Sequence, residues 1–272
     1  MEDAFLDNRI PNHFKGYKAR LGPDGLHLFN RMTGTNILFD EVVIPNKLWS
    51  KTPRQISIAL TNTCDLSCSH CYAPKNKAAL DFDCLLNWIS ELDKGGCIGI
   101  GLGGGEPTLY PNFKDLCEFV TKETNLALTM TTHGYWENTK TIETISNNLN
   151  FIRVSMDGVN STHETIRGRS FVEFIEKVKT LSKVVPLGIN FVVNQATVGD
   201  LTEGAQWAEE LGATEFLLLP EMEVGRGLKI DPNTKSKMQE WIYKYKGKLR
   251  LAISTNHMDG YQFVSLLKRN LD

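Results

Sequence analysis

Gln55-Ile-Ser-Ile-Ala-Leu-Thr-Asn-Thr-Cys64-Asp-Leu-Ser-Cys68-Ser-His-Cys71-Tyr72 is the stretch around which the chain is organised: an apolar, β-branched run leads directly into three cysteines. Their spacing is Cys-x3-Cys-x2-Cys. Thiolates are the usual ligands of iron–sulfur clusters, and three on one loop let a single segment wrap a cluster while one iron stays open to a small molecule. A structural zinc site is the alternative, but zinc normally takes four ligands, commonly as two separated pairs. His70 is the nearest fourth ligand, yet it abuts Cys71 and can hardly close a tetrahedron with it. A further alternative leaves the three as unligated core residues.

Outward from this stretch the chain alternates between two periodicities. Apolar runs predict strands at 55–61, 97–102, 126–132, 150–156, 187–193 and 215–219. Helical patterns lie between them. The first has Leu85, Ile89 and Leu92 on one face, Asp81 or Asp83 as N-cap and Gly95-Gly96 as the stop. The second starts near Pro111 with Leu116, Phe119 and Val120 inward, and a short third surrounds Ile142 and Ile145. Later stripes are Phe171/Phe174/Val178/Leu181, Leu201/Ala205/Ala208/Leu211, and Met238/Trp241/Ile242. Six βα units in succession predict an α/β fold with parallel strands and right-handed crossovers. Six are too few for the closed eight-stranded barrel, which points to an open, partial (β/α)6 barrel over residues 51–248. In such sheets ligands gather at the carboxyl ends of the strands.

Residues 1–50 read differently. Short strand-like segments at 17–21, 26–30 and 36–40 are separated by the turn signals Pro23-Asp-Gly25 and Thr33-Gly34, which predicts a small antiparallel meander. It is either a docking surface with an exposed edge or a lid over one end of the sheet. Residues 249–272 are expected to add a seventh strand at 249–254 and a last helix at 260–269.

Composition narrows the function classes. The 30 basic and 32 acidic residues give a net charge of −2, so neither a nucleic-acid footprint nor a polybasic membrane patch is expected. No apolar run is long enough for a membrane span, and the N-terminus lacks the features of a signal peptide. A cytoplasmic location follows, where thiols stay reduced. Cys84, Cys97 and Cys117 fall singly in predicted helices or a strand and read as small core hydrophobes.

The loops at the predicted strand ends carry the remaining signals. They are Gly103-Gly-Gly-Glu106-Pro107-Thr108, Thr131-Thr-His133-Gly134, Ser155-Met-Asp157-Gly158 with His163-Glu-Thr-Ile-Arg167-Gly168, and Pro220-Glu221-Met-Glu223-Val-Gly-Arg226-Gly227. Together with the cysteine spacing they resemble the radical S-adenosylmethionine (radical SAM) superfamily, most closely its peptide-modifying branch, over about residues 55–227. The resemblance implies a [4Fe-4S] cluster on Cys64, Cys68 and Cys71 whose open iron is chelated by SAM. It implies a Gly-Gly-Glu-Pro element, here Gly104, Gly105, Glu106 and Pro107, whose backbone and carboxylate hold the amino group of SAM. Ser155 and Arg167 would meet its carboxylate and ribose region, Leu219 its adenine. Guanidinium–carboxylate pairing can be bidentate, which gives Arg167 a physical reason for its role. Tyr72 follows the last cysteine, whereas relatives often place an aromatic residue before it, where His70 stands. His133 replaces the family's usual Asn; it either faces the pocket as a polar or proton-transfer group or is a hydrogen-bonded structural residue. Glu221 and Glu223, with His133, are the candidates for substrate contact or proton handling.

The implied chemistry is reductive cleavage of SAM to a 5′-deoxyadenosyl radical, which abstracts hydrogen from an unreactive C–H bond. No cysteine follows Cys117, so the auxiliary clusters of many peptide-modifying relatives are not expected, and no cysteine is well placed to return a hydrogen atom. The expected substrate is a ribosomally made precursor peptide, modified or cleaved in its backbone. A companion leader-binding protein and an external electron donor are the expected partners. Alternatives are a small-molecule radical SAM enzyme acting on a nucleotide or sugar, a glycyl-radical-activating enzyme, and a non-enzymatic iron–sulfur or zinc protein.

Overall fold

In the computed structural model, which describes residues 14, 16–74, 76–136 and 139–254, the alternation becomes a seven-stranded sheet in which every pairing is parallel. The strands are β4 (Gln55–Thr61), β5 (Gly99–Gly104), β6 (Ala127–Thr132), β7 (Phe151–Ser155), β8 (Leu187–Val193), β9 (Glu215–Pro220) and β10 (Arg250–Ile253). They lie side by side in chain order. Among the described residues seven α-helices accompany them: α1 (Phe82–Lys94), α2 (Phe113–Glu123), α3 (Thr139–Asn148), α4 (Asn160–Arg167), α5 (Phe171–Leu181), α6 (Leu201–Glu210) and α7 (Pro232–Lys244). Consecutive parallel strands joined by helices give the expected partial barrel. The strand at 249–254 is present as β10, while the expected helix at 260–269 lies outside the described residues. Among the described residues no helix is long and apolar enough to cross a membrane.

Local chemistry places the helix ends. The Asp81 carboxylate accepts from the Cys84 N–H and caps α1, and Gly96, at φ +92°, takes the left-handed turn that stops it. Ser170 caps α5 and Asp231, followed by Pro232, caps α7. The sequence reading did not contain α4. It is a polar eight-residue helix closed by Gly168 in the left-handed conformation.

Register divides the strand side chains into two kinds of row. Ile58, Leu102, Met130, Ile152 and Leu187 form one row, and Val154, Ile189 and Phe216 another; all are buried and pack into the helix-covered core. The alternate rows are small or polar: Ala59, Gly103, Thr131, Arg153 and Gly188 in one, Ser155, Asn190, Leu217 and Ala252 in the next. These line the inner face of the barrel. On the outer side, Gly204 of α6 lets the Phe191 ring approach; a Cβ there would sit 2.8 Å from a ring carbon. Phe191 is fully buried, with its ring centroid 5.3 Å from that of Phe216. Phe191→Ala is expected to lower unfolding free energy by about 3–5 kcal/mol, measured by urea denaturation.

The meander forms as β1 (Lys18–Gly22), β2 (Gly25–Phe29) and β3 (Asn36–Phe39), paired antiparallel. Its position is set by basic side chains. The Arg31 guanidinium donates to the carbonyls of Thr121, Thr124 and Leu126, Arg20 donates to that of Gly96 at 2.9 Å, and Lys18 pairs with Asp93. The meander therefore covers the amino ends of the strands, opposite the cysteines. A cavity of about 420 Å³ lies there, lined by Phe29 and Asn36 above and by Thr129, Arg153, Glu215 and Arg250 below.

Candidate active site

The cysteine loop leaves β4 and is held from two sides. On the first, the N–H groups of Gly105 and Glu106 donate to the carbonyls of Thr61 and Thr63, at 2.6 and 2.8 Å. Gly104 has φ +123°, and a Cβ on Gly105 would fall 2.2 Å from the Thr63 oxygen, so only glycine permits this approach. On the second, the Arg226 N–H donates to the Cys71 carbonyl at 3.0 Å. A Cβ on Gly225 would meet the Tyr72 Cα at 2.6 Å and the Cys71 oxygen at 2.8 Å. The loop after β9 thus clamps the cysteine loop through backbone. Cys64 and Cys71 are half-buried, Cys68 is buried, and no disulfide forms among the six cysteines. Burial pushes the Cys68 thiol up, with Asp157 and Cys71 adding to the effect and Arg167 opposing it. Metal binding by such a thiol releases its proton.

Glu106 is 1% exposed, and its carboxylate is committed to protein donors. It accepts from the Thr108 N–H and hydroxyl, the Thr132 hydroxyl at 2.8 Å, the His133 N–H at 3.1 Å and the Trp136 indole. The side chain ties the loop after β5 to the loop after β6. Gly103, Gly104 and Gly105, just before it, are half-buried. Pro107 starts a single turn, Pro107–Leu109, behind it.

His133 has both ring nitrogens occupied. Its Nδ1 accepts from the Tyr135 N–H at 2.9 Å, which puts the proton on Nε2, and Nε2 donates to Asp65 at 2.8 Å. Arg169 completes the group with an ion pair to Asp65 at 3.2 Å. Both ring nitrogens of His133 thus have protein partners. Its pairing with Asp65 places them beside Cys64: the three ligand atoms lie within 4.8 Å of one another.

Ser155 ends β7, and Arg167 pairs with Asp157 two residues further on. Arg167 is buried and pairs with the fully buried Asp157, which also takes His70 Nε2 at 3.2 Å and the Val192 N–H at 3.3 Å. Burial alone would drive the Asp157 carboxyl up, but Arg167 and His70 outweigh it and hold it well below the carboxylate range. Burial likewise works against the Arg167 charge, and Asp157 reverses that. The Arg167 Nε remains buried with no hydrogen-bond partner, as does Asn190 Oδ1, on the residue paired in register with Ser155. His70 spends its Nε2 on Asp157, away from the zinc-ligand role weighed from sequence. Leu219, on β9, is half-buried.

The other rim candidates do not converge. Glu221 accepts from the Leu228 N–H at 2.7 Å and braces its own loop; Glu223 and Tyr72 are exposed. Cys97 and Cys117 are fully buried as expected, but Cys84 lies on the exposed face of α1, a correction to the core reading. Asp157, Asp65 and His163 were not singled out as site residues. All three are ordinary letters in the quoted motifs, and nothing in one sequence separates a buttress from a ligand contact.

Behind the site, the Tyr135 hydroxyl meets His163 Nε2 at 2.7 Å and donates to the Ser170 carbonyl. Burial, then the Arg167 charge, pushes the His163 imidazole down to about 4. Below the ordinary value near 6.5 the unfolded chain binds this proton and the folded one does not, so stability falls as pH falls from 6.5 toward 4. Between pH 7 and 5 this residue is expected to remove about 2 kcal/mol, measured as urea unfolding of the native chain against His163→Gln.

Comparison with known proteins bears on these features directly. The sequence matches the radical SAM superfamily over residues 58–208, more than half of the chain. It is 28% identical over 207 residues to the sporulation killing factor maturation protein SkfB of Bacillus subtilis, covering 74% of this chain and 50% of that protein. It is 26% identical over 216 residues to the AdoMet-dependent heme synthase of Methanosarcina barkeri, covering 75% and 62%. The chain thus spans about half to three-fifths of the length of these relatives. In fold it resembles Streptococcus suis SuiB bound to precursor peptide SuiA, with a TM-score of 0.74 at 16% identity, covering 92% of this chain and 74% of that one. Three cysteines on a loop clamped by the loops after β5 and β9, the Gly-Gly-Glu-Pro turn and the matched region converge: the chain belongs to the radical SAM superfamily, enzymes that work with a [4Fe-4S] cluster and SAM.

Proposed function

We propose that the chain matures a ribosomally made precursor peptide by hydrogen-atom abstraction. The observation that carries the SAM site is a buried guanidinium, Arg167, whose Nε lacks an acceptor, set behind three thiols on a clamped loop. The residues fit the cofactors: Cys64, Cys68 and Cys71 would hold the cluster, and Gly103–Gly105 backbone, Ser155, Arg167 and Leu219 would hold SAM. Together these groups supply a 5′-deoxyadenosyl radical from reductive cleavage of SAM. The chain's own part is to aim and to exclude water. Half-buried glycine backbone offers carbonyls to an ammonium, and Arg167 offers its free edge to a carboxylate.

The peptide substrate is supported by two relatives from Bacillus subtilis, the maturation protein SkfB and the antilisterial bacteriocin subtilosin biosynthesis protein AlbA, the latter 26% identical over 196 residues. Backbone modification or cleavage, with fragment excision as one form of it, is the reaction proposed. A companion leader-binding protein, an external electron donor and a cytoplasmic location complete the reading, with residues 1–50, 51–248 and 249–272 as its three parts. A small-molecule substrate has one observation in its favour, the similarity to the heme synthase.

Anaerobically reconstituted protein given dithionite and SAM is expected to release 5′-deoxyadenosine. Protein with full iron content and the cluster absorbance that releases none overturns the radical reading. The peptide reading falls if synthetic peptides from short reading frames beside the gene leave both the rate and their own masses unchanged while coproporphyrin or heme precursors are converted.

A further inference from the structure

We infer that Asp157 is the positioning residue of the cofactor site, fixing the direction of Arg167 and the seat of the cysteine loop with one carboxylate. The inference rests on Arg167 facing SAM, as proposed above. Asp157 follows β7, where Gly158, at φ +76°, bends the chain so that the carboxylate turns inward; a Cβ on Gly158 would strike Thr162 and Asp200. The carboxylate is 0% exposed. Its partners come from three separate elements: the Val192 N–H on β8, Arg167 at the end of α4, and His70 between Cys68 and Cys71.

A buried carboxylate needs its charge matched: Arg167 and His70 do this at one oxygen, and the Val192 N–H hydrogen-bonds the other. For Arg167 the consequence is directional. Guanidinium is a rigid plane with five donors, so fixing its Nη2 on Asp157 fixes where Nε points. That Nε is buried and has no acceptor in the protein. The pairing leaves the guanidinium edge that carries Nε for a ligand carboxylate, and the same Asp157 oxygen reaches His70 in the cysteine loop. Asp157 touches neither thiols nor ligand; it acts through Arg167 and His70.

The alternative is a buried ion pair that serves only the fold, and a double-mutant cycle separates the two. SAM affinity is measured on reconstituted protein from the SAM-induced change in the EPR spectrum of the reduced cluster, with iron content and melting temperature alongside. Asp157→Asn, which keeps shape and removes charge, is expected to weaken SAM binding about tenfold or more while iron content stays near native. In an Arg167→Ala background the same change is expected to cost less than about threefold, because only the contact through His70 is left for it to act on. Native SAM affinity in Asp157→Asn, or losses that multiply fully in the double variant, overturns the inference. Arg167→Ala with native affinity and full iron removes the reading on which it rests, a different result. Asp157→Glu, which keeps the charge and shifts the carboxylate by one methylene, is the second variant. If neither Asp157 variant loads iron while Arg167→Ala does, Asp157 serves the fold alone and the inference fails.

Discussion

Replacing Cys68 by serine will abolish cluster loading and reduce SAM cleavage more than about a thousandfold, with the fold retained. Cys68 is the middle thiol of the three, 7% exposed, and its wall is formed by Arg167 and Asp157. Serine fills nearly the same volume, so packing around Leu66 and the loop backbone persists. No other thiol can take its place. Cys97 lies just before β5, at the amino end of the sheet, Cys117 is enclosed in α2, and Cys84 points to solvent from α1. Iron and sulfide analysis, the visible absorbance and 5′-deoxyadenosine release check the first half of the expectation; an unchanged far-ultraviolet circular dichroism spectrum checks the second. A serine variant that still loads iron and cleaves SAM would show that the cluster sits elsewhere.

Gly105→Ala is the second large effect. The added methyl would lie 2.2 Å from the Thr63 oxygen and 2.7 Å from both the Asn62 oxygen and the Thr63 carbonyl carbon. All are backbone atoms, so no side chain can swing aside, and either the Gly105 bond to Thr61 or the path into Cys64 must give way. A displacement of about 1 Å at a reacting centre costs roughly a hundredfold, and that is the loss expected in SAM cleavage. Gly225→Ala, on the opposite clamp, would meet Tyr72 and Cys71 backbone at 2.6–2.8 Å and is expected to act in the same direction. Single-turnover assays at saturating SAM, with iron content measured alongside, check both. A Gly105→Ala enzyme within about threefold of native would mean that the two loops are not coupled.

The alternation of strands and helices was legible because it depends on period. Apolar runs and amphipathic stripes name their faces, and glycine or aspartate marks their ends, as Asp81 and Gly96 do for α1. The helix at Asn160–Arg167 escaped because it is short and polar and only His163 and Ile166 are buried in it. The cysteines were legible for a different reason: iron ligation restricts residue type and spacing together. Glu106 and His133 show the limit. An acidic residue in a glycine-rich turn reads as a ligand contact, yet here it also takes five protein donors, two on Thr108 in its own loop and three from the loop after β6. Whether a polar side chain turns to a ligand or to its own scaffold is decided by residues far away in the chain, which no local pattern records.

The two kinds of row on the strands divide the sequence into positions with different freedom to change. Ile58, Leu102, Met130, Ile152 and Leu187 belong to the packed core, where altering volume disturbs every neighbour. Ala59, Thr131, Gly188 and Asn190 interleave with them yet look inward, at the ends of the same hydrogen bonds. Exchange of every second residue can therefore alter the inner face while the packed core stays untouched, so that a change of lining and a loss of fold are separable events on one and the same strand.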